Sequence, residues 1–167
     1  MPLEIERKFR VRDDWEIPPA AVGARIRQAY LTDPAAGVEV RVRSIAERYF
    51  MTVKKPLGTS SGKALSRHEV EFPIDVEVFD HLWDLTVDRL DKERWTVAVA
   101  GHTTVVDVYL GKNEGLRVVE VEFATPAEAD AFDAPAWFGP EITGMKEWGN
   151  RALAGRSTGH CGDARRA

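Results

Sequence analysis

The tightest constraint on this chain is a period of two in which charged residues alternate with apolar ones. In the stretch Leu3-Glu4-Ile5-Glu6-Arg7-Lys8-Phe9, one strand face carries Glu4, Glu6 and Lys8. The other carries Leu3, Ile5, Arg7 and Phe9, because successive strand side chains point to opposite faces. The pattern then recurs. Arg41 and Arg43 alternate with Val40 and Val42, Glu69 and Glu71 with Val70 and Phe72, and Glu120 and Glu122 with Val121 and Phe123. Lys92 and Arg94 share a face opposite Trp95, Lys54 shares one with Thr52, and Asp107 stands between Val106 and Val108. The like-charged doublets change sign along the chain: acid, base, acid, base, acid.

Turn signals divide these segments. Asp13-Asp14-Trp15 and Pro18-Pro19 mark a turn and loop, Asp33-Pro34-Ala35-Ala36-Gly37 a turn, and Gly101-His102 and Gly111 to Gly115 hairpin connections. Strands are expected over residues 3–9, 25–32, 38–44, 48–54, 64–73, 87–99, 103–110 and 116–124, with a flexible loop at 57–63. Val78, Leu82 and Leu85 predict a helix over 74–86 with Asp75 as N-cap. Thr125-Pro126-Ala127-Glu128 is a second helix start. Residues 137–155 read as a loop leading into a short C-terminal helix, and 156–167 as a disordered tail. The domain expectation is therefore one unit over 1–155.

Composition narrows the class. At 44% hydrophobic and 30% charged, 167 residues can bury one sizeable core, and no apolar run is long enough to cross a bilayer as a helix. Cys161 is the lone cysteine, and Met1-Pro2-Leu3-Glu4 lacks the build of a secretory signal. A cytoplasmic protein is expected. The net charge of −4 argues against a nucleic-acid surface.

Two readings of the charged face compete. One is an antiparallel sheet with a solvated outer face. The other, favoured by the ordered doublets, is a barrel of about eight strands whose interior is charged and whose apolar outside is covered by helices. Buried charges persist when they are paired or bound to a ligand. Carboxylates two residues apart lie roughly 6.6 Å apart and can reach one hard cation. Mg²⁺ takes oxygen ligands and shares them with phosphate, while guanidinium forks and ammonium groups suit phosphate oxygens. Together these describe a site for a metal-bound polyphosphate.

At this point the motifs resemble a known family. Glu4-x-Glu6-x-Lys8 is similar to the signature of the CYTH superfamily, the triphosphate tunnel metalloenzymes. In order follow Gln28-Ala29-Tyr30-Leu31, Val40-Arg41-Val42-Arg43, Thr52-Val53-Lys54-Lys55-Pro56, Glu69-Val70-Glu71-Phe72, Lys92-Glu93-Arg94-Trp95, Val106-Asp107-Val108 and Val119-Glu120-Val121-Glu122-Phe123. Gly139 to Gly144 and Asn150-Arg151-Ala152-Leu153 resemble the stand-alone bacterial branch, and Trp148-Gly149-Asn150 departs from its aromatic-Ser-Asn. The resemblance implies an α+β, mainly β fold: an eight-stranded antiparallel tunnel with helices outside. Family activities include inorganic, thiamine and fungal RNA triphosphatases and class IV adenylyl cyclases. It implies Mg²⁺ or Mn²⁺ at Glu4, Glu6, Glu120 and Glu122, with Asp107, at a further acidic tunnel position, counted among the metal carboxylates. Phosphate would be held by Lys8, Arg41, Arg43, Lys54, Lys92 and Arg94. The catalytic set would be Glu4, Glu6, Lys8, Lys54, Glu69 and Glu71, with the attacking water activated by Glu69 or Glu71 or supplied as metal-bound hydroxide.

The leading expectation is a metal-dependent triphosphatase releasing orthophosphate from tripolyphosphate, with nucleoside or thiamine triphosphates as further substrates. A class IV-type cyclase is disfavoured because only Met1-Pro2-Leu3 precede the first motif. A non-catalytic polyphosphate-binding module has no need of paired carboxylates. The expected partner is a small-molecule triphosphate, with no nucleic acid and no membrane; a homodimer is allowed. Arg25 and Arg27 are expected on the surface or at a mouth, Glu39 in a rim salt bridge, and Trp83, Trp95 and Trp137 in packing. The four histidines lack zinc-site spacing.

Overall fold

A computed structural model describes residues 3–56 and 65–156; the loop expected at 57–63 and the tail beyond 156 lie outside the described residues. Among the described residues nine strands form: β1 (Leu3–Val11), β2 (Val22–Tyr30), β3 (Glu39–Ile45), β4 (Arg48–Pro56), β5 (Leu65–Pro73), β6 (Arg89–Val99), β7 (His102–Tyr109), β8 (Arg117–Glu122) and β9 (Phe138–Glu141). Three helices accompany them: α1 (Val76–Asp84), α2 (Pro126–Ala131) and α3 (Asn150–Ala154). Each alternating segment became a strand, because a half-apolar surface of period two fits a pleated sheet.

The sheet order is β5-β4-β3-β2-β6-β7-β8-β1-β9, with antiparallel neighbours throughout. It curls until β5 meets β1, pairing Leu3 with His68 through Glu6 with Leu65. The same edge of β1 is occupied further along by β9, at Phe9 and Val11. The wall is thus joined only along a short stretch, and a nine-stranded sheet stands where eight closed strands were expected. β9 was not foreseen. Phe138-Gly139-Pro140-Glu141 is too short and too rich in Gly and Pro to alternate, and it exists because β1 offers an unpaired edge there.

Turn chemistry sets the hairpins. Ala100 and Gly101 both have positive φ, as a two-residue turn between twisted strands requires. At the β3–β4 turn the same role falls to Ala46 and Glu47, with φ of 46° and 60°; no glycine marks it in the sequence. Thr125 caps α2 by accepting from the Glu128 N–H, and Glu128 reaches back to the Ala124 N–H. Asp75 is the N-cap residue of α1, but its side chain makes no capping bond.

The apolar faces point outward, as anticipated, and most are covered, although Val70 and Phe72 of β5 stay 48% and 43% exposed. Ile5, Phe9, Val97, Val106, Val119, Val121 and Phe123 pack with Ala129 of α2 and Phe138 of β9. Phe79 of α1 packs on Ala29 and Val42. A third cluster lies at one end of the interior, where Leu153 and Ala154 of α3 meet Tyr30, Leu90, Tyr109, Leu116, Val118 and Ile142. Arg7 lies on the apolar face and is buried. It grips Glu141 through a bidentate pair at 2.9 and 2.7 Å and donates to the Ala129 and Phe132 carbonyls, tying β1 to β9 and α2. Trp15 and Trp137 stack at 4.7 Å, Trp83 lies under Arg27, and Trp95 presses on Gly23. Packing thus occupies the tryptophans. No helix among the described residues is long and apolar enough to cross a membrane.

Candidate active site

The inward faces of the strands enclose a cavity of about 880 Å³. Its wall includes Glu6 and Lys8 of β1, Arg41 and Arg43 of β3, Lys54 of β4, Glu69 and Glu71 of β5, Arg94 of β6, and Glu120 and Glu122 of β8. Six strands therefore deliver their charged face to one space. The side chain of Glu4 lies outside the described residues; its backbone precedes Glu6 by two positions on the same strand.

Two of the predicted residues stand behind this wall. Lys92 and Asp107 are fully buried, with Nζ 2.5 Å from Oδ2. Asp107 also takes a fork from Arg94, Nε to Oδ1 and Nη2 to Oδ2, both at 2.7 Å. Arg94 Nη2 continues to Glu120 Oε2 at 2.6 Å, and Glu120 Oε1 meets Lys8 Nζ at 2.7 Å. A chain of alternating charge, Lys92–Asp107–Arg94–Glu120–Lys8, thereby crosses β6, β7, β8 and β1. Cross-strand register makes it possible: Arg94 lies opposite Asp107 and Lys8 opposite Glu120.

Burial and neighbouring charge shape the protonation of this chain. Desolvation lowers the Lys92 ammonium to about 8 against the raising effect of Asp107. Desolvation would raise the carboxyls of Asp107 and Glu120. The facing cations outweigh it: Arg94 and Lys92 hold Asp107 below its usual value, and Lys8, Arg94 and Lys92 hold Glu120 well below. Desolvation drives Tyr109 well above the ordinary phenol value, with Asp107 and Glu120 adding to the effect.

The opposite side of the cavity is paired more loosely. Lys54 Nζ meets Glu69 Oε2 at 2.6 Å, and Arg43 Nη2 meets Glu71 Oε1 at 2.8 Å. Thr52 also donates to Glu71. Arg41 is buried, yet its carboxylate neighbours Glu39 and Glu69 stand at 3.9 and 3.8 Å. The Nε atoms of Arg41 and Arg43 are buried without a hydrogen-bond partner among the described residues. Buried guanidinium donors left this way call for an acceptor, and phosphate oxygens match their geometry.

The donor chemistry also fits a hard cation. Glu6 and Glu122 face each other directly across β1 and β8, Glu6 buried and Glu122 exposed. Among the described residues, no three acidic, histidine or cysteine side chains are close enough to hold an ion by themselves. Two facing carboxylates, with Glu4 on the same strand, suit an ion that completes its shell with water and phosphate oxygen.

Several lining residues had no assigned role in the sequence. Gln28 and Tyr30 of β2 were visible as a shared polar face. Lys146, Asn150 and Arg151 come from the chain end, where no periodicity pointed inward. α3 is anchored there by Tyr109 Oη donating to Asn150 Oδ1 at 2.6 Å and Arg151 pairing with Asp88 at 2.6 Å. Lys112 donates to the Ala154 carbonyl, and Asn113 to that of Leu153. Arg25, by contrast, pairs with Asp91 on the surface.

Comparison with known proteins agrees with this geometry. A sequence model of the CYTH domain matches residues 2–138. An inorganic triphosphatase of Nitrosomonas europaea is 41% identical over 154 residues, covering 90% of this chain and 96% of that protein. Another, from Acetivibrio thermocellus, is 36% identical over 155 residues, covering 92% and 94%. The crystal structure of an inorganic triphosphatase superposes with a TM-score of 0.71 at 36% identity, covering 95% of this chain and 99% of the other.

Proposed function

Because this chain belongs to the CYTH domain family, we propose that it is a metal-dependent triphosphatase that cleaves tripolyphosphate to pyrophosphate and orthophosphate. One observation carries the reading: a single cavity is lined by seven cationic side chains and by the facing carboxylates Glu6 and Glu122. A polyanion satisfies the first set and a hard cation the second. No lining residue is needed to read a base or a sugar, which favours the phosphate chain itself.

In this reading Arg41 and Arg43, which line the cavity, take phosphate oxygens on their guanidinium groups, and Lys8, Lys54 and Arg94 neutralise the remaining charge. Glu6 and Glu122, with Glu4, would hold Mg²⁺ or Mn²⁺, which when bound draws charge from the phosphate oxygens and acidifies water. Lys54 turns from Glu69 to a phosphate oxygen, and Glu69 is then able to accept a proton. Water attacks the terminal phosphorus, the bond to the bridging oxygen breaks, and pyrophosphate leaves. Glu71, held by Arg43 and Thr52, keeps Arg43 oriented until phosphate arrives. A cytoplasmic setting belongs to the same proposal and is supported by the lone cysteine.

The test is orthophosphate release from tripolyphosphate. It is expected with Mg²⁺ or Mn²⁺ and absent with excess chelator. Full activity in chelator would sink the proposal, as would cyclic AMP made from ATP with no tripolyphosphate cleaved.

A further inference from the structure

Asp107 was grouped with the metal carboxylates on sequence grounds, and its surroundings argue for a different task. Its side chain is wholly buried behind the cavity wall. Oδ1 is taken by Arg94 Nε, and Oδ2 is shared by Lys92 Nζ and Arg94 Nη2. Leu90, Tyr109 and Val118 are buried around the same end of the interior, and the Lys92 ammonium lies 5.4 Å from the Tyr109 ring centre. A cation reaching Asp107 would have to displace two paired cationic side chains from a dry site, at large desolvation cost.

Arg94 differs in that it reaches the cavity. Its side chain retains 22% exposure, and its Nε and Nη2 are committed to Asp107 and Glu120. The remaining nitrogen, Nη1, takes no part in those bonds. A guanidinium gripped along one edge by a carboxylate fork presents its other edge in a fixed direction.

We infer that Asp107 is a positioning residue that locks Arg94 so that its Nη1 edge meets the phosphate chain, and that Asp107 takes no part in holding the metal. This rests on the triphosphatase reading for the identity of the anion. Lys92 offsets the second negative lone-pair region of Asp107 and allows the carboxylate to stay charged in a dry environment. The chain of pairs then passes the orientation on to Glu120 and Lys8 at the wall.

The test uses Asp107→Asn and reads binding, not turnover. Titration of the substrate-free protein with Mn²⁺, followed by electron paramagnetic resonance, measures the metal. Calorimetry with tripolyphosphate in chelator measures the anion. Positioning predicts Mn²⁺ affinity within about two-fold of wild type and tripolyphosphate binding weakened by at least ~10-fold, the scale of a charge-assisted hydrogen bond. A ten-fold loss of Mn²⁺ affinity, with or without loss of the anion, overturns the inference. Unchanged affinity for both ligands, with only a lower Tm, overturns it as well, since that is the signature of packing alone. Should Asp107→Asn fail to fold, Lys92→Met/Asp107→Asn removes one buried charge of each sign and is read by the same two titrations. Wild-type protein that cleaves no tripolyphosphate would defeat the functional reading and leave the Mn²⁺ result standing on its own.

Discussion

The two sides of the cavity wall carry the same alternating charges at different depths. On the β6-β7-β8-β1 side, Lys92 and Asp107 have no exposure at all, and Glu120 is sealed between Arg94 and Lys8. On the β3-β4-β5 side the carboxylates are wetter, with Glu69 and Glu71 retaining 23% and 26% side-chain exposure against 0% and 9% for Asp107 and Glu120, and Arg41 has only long ion pairs. Depth changes what a charge pair is for. A dry pair is costly to break and therefore holds geometry. A wet pair exchanges partners at little cost and can release a cation to an incoming anion.

The largest expected effect tests that difference directly. Asp107→Ala leaves Lys92 and Arg94 facing each other in a dry site and should cost about 3–5 kcal/mol in urea unfolding. Glu71→Ala removes a partly wet partner and should cost under ~1 kcal/mol. Equal costs would erase the distinction between the two sides.

Next in size is the loss of a carboxylate from the cavity itself. Glu6→Ala should lower tripolyphosphate turnover by at least ~10²-fold, the scale of removing a major electrostatic stabiliser. Retention of more than a tenth of wild-type turnover would move the metal elsewhere.

Acid should discriminate the two sides more gently. Asp107 and Glu120 lie below their ordinary values of 3.8 and 4.5 in the native state. The folded protein therefore keeps these charges to lower pH than the unfolded chain does. Their contribution is present above the ordinary carboxylate range and is lost as pH falls through the lowered native values. Unfolding free energy measured from pH 7 downward should hold near pH 5 and decline below about 4, and Glu120→Gln should flatten that decline. An acid limb unchanged in Glu120→Gln would show that other groups govern it.

The smallest effect is expected outside the tunnel. Arg25 pairs with Asp91 on the surface, and Arg25→Ala should leave both Tm and turnover unchanged. A fall in turnover would mean that the outer face of β2 communicates with the cavity.

Much of this was legible before any coordinates. Period-two charge placed Glu6, Lys8, Arg41, Arg43, Lys54, Glu69, Glu71, Arg94, Glu120 and Glu122 on inward faces, and all of them line the cavity. Local pattern suffices there because a strand residue has only two directions to point. The same logic put Lys92 and Asp107 on the correct face but could not place them behind the wall. Their depth depends on Leu90, Tyr109, Val118 and α3 closing that end, an arrangement of residues far apart in sequence.

What the amino-acid order determined alone was the sidedness of eight strands and the charge of the surface they share. Sheet twist and register then decided which carboxylate meets which cation: Glu120 faces Lys8 because β1 and β8 are neighbours, although 111 positions separate them in the chain. β9 and the inward reach of Asn150 and Arg151 also belong to the tertiary structure. A four-residue strand and a five-residue helix have too little intrinsic stability to be read locally; they form because β1 supplies an open edge and the tunnel end supplies an apolar seat for Leu153.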